Sequence, residues 1–96
     1  MIAVLQALEE LLALSESMLS AAGAEDWETL ASLEAARRAL TESLPAGLTA
    51  DLPAGVQARA RVLIENCLRC DENLRPLLDT RMNELQVVLR AAQPAI

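Results

Sequence analysis

"CLRCDENLRPLL", Cys67–Leu78, decides how the second half of the chain is read. It sets a Cys-x-x-Cys spacing beside a proline, inside a pattern that is otherwise helical. Around it, Val56, Ala60, Leu63, Cys67, Cys70 and Leu74 form one stripe before the proline; Leu78, Leu85, Val88 and Ala92 continue it afterwards. Apolar residues at three- and four-residue steps lay one face along an α-helix. The phase runs straight through Pro76, and Asn73 and Arg75 do not make a fresh helix start. Pro76 therefore reads as a kink within one long helix and not as a boundary between two.

Upstream, "LPAGLTADLPAG", Leu44–Gly55, holds two of the four prolines and two of the three glycines, and is the main break in the chain. Clustered breakers of this kind mark a loop; Pro53 suits the first turn of the helix that follows, where its missing amide costs nothing. Before the break lie two shorter helical patterns. Val4, Leu5, Leu8, Leu11, Leu12, Ser15, Met18 and Leu19 repeat between about Ile2 and Ala22, and Leu30, Leu33, Leu40 and Leu44 between about Trp27 and Leu44. Gly23 is expected to close the first as its C′ residue. Asp26 is expected to cap the second. A link of about four residues joins antiparallel neighbours. The fold class is thus all-α: an antiparallel helical hairpin plus a long third helix kinked at Pro76, a three- to four-helix bundle in one domain spanning residues 1–96.

Composition agrees. The chain has 96 residues, is 53% hydrophobic, lacks Phe and Tyr, and has Trp27 as its only aromatic. Leu and Ala favour helices, and a chain this short supports only a thin core. Net charge is −6, and all eight basic residues are arginine. Up to Ala36 there are acids (Glu9, Glu10, Glu16, Glu25, Asp26, Glu28, Glu34) and no base. This argues against nucleic acid as a direct partner, because phosphate binding needs a basic face. No apolar run reaches the ~20 residues of a membrane span. The first residues lack the basic segment of a signal peptide. The expectation is a cytoplasmic chain with reduced thiols.

Chemistry has little to work with. The chain has no histidine, no lysine and no Gly-rich phosphate loop. No catalytic residue, cofactor or metal site is expected, and the chain is read as no enzyme. Two thiols do not complete a zinc site, and a redox pair belongs at a helix N-terminus after a strand. Cys67 and Cys70 read as small buried hydrophobes. Trp27 is expected to staple the hairpin turn against Met18 or Ala22, with a role as a binding anchor also open. Arg37 sits within its helix's apolar stripe, close to where Ser15 interrupts the first helix's stripe. It is expected to reach the rim or pair with Glu16 or Glu34; a fixed polar contact that sets helix register is the alternative.

Lengths carry the functional reading. At 1.5 Å per residue the hairpin helices are each about 30 Å long and the third helix about 57 Å. Level with the Gly23 turn after about 20 residues, the third helix outruns its support near Pro76. Beyond that point Leu77, Leu78, Met82, Leu85, Val88 and Leu89 share one side, with Leu74 just before them. An apolar stripe of this size is unusual in water. It calls for cover by a second copy, by a client, or by the chain's own fold-back at Pro76.

The residues also carry a resemblance. "LLALSESMLSAAGAEDWETLASLEAARRALTESL", Leu11–Leu44, resembles the flagellar export chaperones of the FliT type. The features are a first helix ending in small residues, the Asp26-Trp27 start, and Leu33-Glu34-Ala35-Ala36-Arg37-Arg38 followed by Ala39-Leu40. "LIENCLRCDENLRPLLDTRMNELQVVL", Leu63–Leu89, is similar to that family's long final helix, including Arg81-Met82-Asn83-Glu84-Leu85. Pro76 and the two cysteines depart from the family's pattern. The resemblance implies a cytoplasmic chaperone that holds the C-terminal segment of the filament-cap protein and hands it to the type III export apparatus. For some members it also implies a transcriptional activator of flagellar genes as a partner. The corresponding site is the apolar face of Leu74, Leu77, Leu78, Met82, Leu85, Val88 and Leu89, on which a client helix would lie. A structural or regulatory module, using the same face only to pair as a homodimer, is the alternative.

Overall fold

The computed structural model describes residues 2–44 and 52–92. Within them are three helices and no strand: α1 Ile2–Gly23, α2 Trp27–Ser43 and α3 Ala54–Ala92. The fold is all-α, as the periodicity predicts. Most of the Leu44–Gly55 break, residues 45–51, lies outside the described residues. Pro53 stands one residue ahead of α3, and its carbonyl accepts a hydrogen bond from the Gln57 amide at 2.8 Å.

The turn between α1 and α2 shows why the chain reverses there. The Asp26 amide donates back to the Ala21 carbonyl (2.8 Å) and the Glu25 amide to that of Ala22 (3.1 Å). These paired bonds are a Schellman closure, which satisfies carbonyls left free at a helix end. Its left-handed position is held by Glu25, with φ 58°, and not by Gly23, which is the last helical residue. Asp26 then serves α2 directly. One carboxylate oxygen accepts from the Thr29 amide (3.2 Å) and the other from the Thr29 hydroxyl (2.7 Å), so the first turn is capped as expected.

α1 is the central rod. Its backbone lies close to both α2 and α3, whereas α2 and α3 meet through side chains. The core is two clusters stacked along it. Leu8 groups with Ala60 and Leu63 at one end; Met18, Ala21 and Ala22 group with Leu30 and Leu74 at the other. This pairing makes α3 parallel to α1 and antiparallel to α2. Each buried leucine stabilises the bundle by roughly 2 kcal/mol.

Between the clusters lies a polar node. Ser15, 2% exposed, donates to the Leu11 carbonyl at 2.9 Å. Arg37 reaches in from α2, donating to the Ser15 hydroxyl (3.3 Å) and to Asp71 of α3 (2.6 Å). The partner of Arg37 is therefore Asp71; Glu34 pairs instead with Arg38. One set of contacts ties three helices at one level, so the polar interruption seen in both stripes is a junction.

α3 runs unbroken through Pro76 to Ala92, so the described chain does not fold back there. Proline removes the donor for the Glu72 carbonyl, and the Thr80 hydroxyl donates to the carbonyl of Pro76 itself at 3.0 Å. With 39 residues at ~1.5 Å each, α3 sets the 64 Å length of a molecule only about 20 Å across.

Candidate partner-binding face

The hairpin tip and α3 meet at Trp27. Its ring packs on the Met18, Ala22 and Leu30 cluster together with Leu77, and the Arg81 guanidinium stands over it, 5.2 Å from the ring centroid. Arg81 also pairs loosely with Glu84, at 3.8 Å. Ala22, Gly23, Trp27, Leu77, Arg81 and Glu84 line a depression of about 140 Å³ between tip and helix. The hairpin's support thus ends about a turn later than Pro76, at Leu77 to Arg81.

This boundary sorts the expected site residues. Leu74 is 4% exposed and belongs to the core, with its side chain already used. Leu77 is half-buried against the same cluster. Leu78 lies at the edge, at 38% exposure. Met82, Leu85, Val88 and Leu89 are exposed, Met82 at 55% and Leu89 at 62%. Five of the seven residues therefore form an open face, and the other two anchor the helix that carries it.

Leu78, Met82, Leu85 and Leu89 follow at four, three and four residues, which keeps them on one side of the helix. Val88 flanks them, and Val87, also exposed, falls on the far side. Between Met82 and Ala92 the only charges are Glu84 and Arg90, so this end is nearly neutral as well as apolar. Two further exposed apolar residues, Ile64 and Leu68, lie upstream on the same side of α3. Ile64 helps line a shallow depression with Gln57, Arg61 and Glu65. They fall outside the main stripe, and the signal for them was their own four-residue spacing.

The thiols sit elsewhere. Cys67 is buried in the polar node and Cys70 is half-buried; both are free. Burial pushes both thiols above their ordinary value of 9.0; a hydrogen bond with Ser15 partly opposes this at Cys67. Leu11, Ser15, Arg37, Thr41, Cys67 and Asp71 line an open depression of about 250 Å³ at that level. Among the described residues no group of three or more His, Cys, Asp or Glu comes together to hold a metal, and no helix is long and apolar enough to cross a membrane.

The hairpin backs α3 from its start to about Arg81, and the last three turns of the helix carry exposed apolar residues: the described chain is a helical bundle of three helices. The model of the flagellar protein FliT family matches residues 5–95, nearly the whole chain, and the chain belongs to that family. Membership supports a flagellum-related chaperone role in general terms. Comparison with curated proteins and with solved structures returns no match.

Proposed function

We propose that the chain is a type III export chaperone that holds the C-terminal segment of the flagellar filament-cap protein. It binds that segment as an amphipathic helix laid along Leu78, Met82, Leu85, Val88 and Leu89, and releases it to the export apparatus. The observation that carries the reading is the exposed apolar run on α3 beyond Arg81, where the hairpin no longer backs the helix. A helix lying there hides its own apolar side chains and those of α3 at once. The near-neutral charge of this end makes burial the driving term and gives ions little part in it. The client and the apparatus are what the resemblance to the family implies; family membership supports the coarser flagellar chaperone role, and the face is read from the exposed residues. The same face also favours pairing of two copies.

The test is substitution at the face. Leu78→Asp with Leu85→Asp is expected to leave helix content intact and to weaken binding of the cap-protein segment at least tenfold. Unchanged affinity in a folded variant contradicts the reading.

A further inference from the structure

Glu25 occupies the left-handed position of the hairpin turn, φ 58°, where glycine meets no penalty. The closure uses its backbone amide. Glu25 also lines the depression beside Trp27, together with Thr80, Arg81 and Glu84. That depression gathers what a cation needs. It has the face of the only aromatic ring in the chain, and two carboxylates, Glu25 and Glu84. It lies at the C-terminal end of α1, whose dipole favours positive charge and whose last turn carries no basic residue.

One cation already stands there. The Arg81 guanidinium is 5.2 Å from the Trp27 ring centroid. It is held loosely: its contact with Glu84, at 3.8 Å, is longer than a hydrogen bond, and both side chains are partly exposed. Two carboxylates against one guanidinium leave one negative charge over.

We propose that this depression is a cation site, occupied by Arg81 in the free chain, and that an arginine or lysine of the client segment takes the place of Arg81 on binding. The exchange rests on the client reading above; the cation site does not. The site adjoins the inner edge of the apolar face, since Arg81 falls between Leu78 and Met82. Leu78, Met82, Leu85 and Leu89 step by four, three and four residues, so the face reads the same in both directions. By itself it does not decide which way a client helix runs. A cation held at one end does: burial supplies the affinity and the charge sets the orientation. The client is then an amphipathic helix with a basic residue at the end nearest the hairpin tip. The acidic first half of the chain, with no base before Arg37, draws that end toward the tip. The strained position of Glu25 puts a carboxylate where glycine would put none.

Trp27 fluorescence reads this site alone. In the Arg81→Ala chain, with the ring face emptied, millimolar ethylguanidinium is expected to shift Trp27 emission saturably, with helix content by circular dichroism unchanged. Neutral N-ethylurea is expected not to. Adding Glu25→Gly should weaken the ethylguanidinium response about threefold or more. A response no different from that to N-ethylurea overturns the cation site. The exchange is read by fluorescence polarisation of a labelled cap-protein C-terminal segment. Arg81→Ala should tighten its binding about two- to fivefold, by removing the competitor. Glu25→Gly should weaken it about threefold or more without loss of stability in urea, a split that a merely structural role would not produce. An affinity indifferent to both substitutions overturns the exchange and leaves the client reading standing. A segment that fails to bind the unaltered chain removes the client reading and the exchange together, while the ethylguanidinium result still decides the cation site.

Discussion

Arg37 on α2 and Asp71 on α3 stand 2.6 Å apart, and the same guanidinium reaches Ser15 on α1. The contact lies between the two apolar clusters and fixes how α2 is placed against α3, whose backbones do not approach. Both side chains are partly exposed, at 25% and 42%, so the pair is screened and its contribution is modest. Arg37→Ala should cost about 1 kcal/mol, part of it lost packing of the arginine stem. A double-mutant cycle with Asp71→Ala should return a coupling of about 0.5–1 kcal/mol by urea unfolding. A coupling near zero removes the junction's role.

Glu25 is the clearest opportunity for stabilisation. It holds the left-handed position of the α1–α2 turn, with φ 58°. A side chain there costs about 1 kcal/mol, which glycine avoids. Glu25→Gly should raise stability by roughly 0.5–1 kcal/mol, read by urea or thermal unfolding.

Leu74 and Leu89 should respond in opposite ways. Leu74, at 4% exposure, lies in the core, so Leu74→Ala should cost about 2–4 kcal/mol. Leu89→Ala should change the stability of the dilute, unpaired chain by less than about 0.5 kcal/mol while weakening client binding. Equal losses of stability at the two positions contradict the boundary placed at Arg81.

The thiols give the pH dependence. Burial raises both above the ordinary 9.0, so the folded chain holds their protons more tightly than the unfolded one. Their contribution is fully present below the ordinary thiol range. It is lost as pH rises through the raised values, so stability should decline above about pH 9. Cys67→Ala should flatten that decline in unfolding measured across pH.

Much of this was legible in the sequence because the helices are strongly periodic. The stripe through Pro76 fixed α3 as one element, since no new cap or change of phase follows the proline. The Asp26 cap was legible because its chemistry is local. Three features were not. Glu25 at the left-handed position breaks the usual preference for glycine, which points instead to Gly23 two residues earlier. The Arg37–Asp71 pair joins residues 34 apart in sequence. It depends on the rotation of α2 about its own axis, which an apolar stripe leaves loose by a good part of a turn. The candidate face was legible as a stripe. Its inner edge was not, because whether Leu74 and Leu77 are covered depends on where the hairpin tip falls to within one helical turn.

The most direct measurement is a hydrogen-exchange footprint of the cap-protein C-terminal segment on the full chain. New protection is expected along α3 between Leu78 and Leu89, at a chain concentration low enough to keep the free protein unpaired. Protection confined to α1 and α2, with that end of α3 exchanging as in the free chain, would contradict the account.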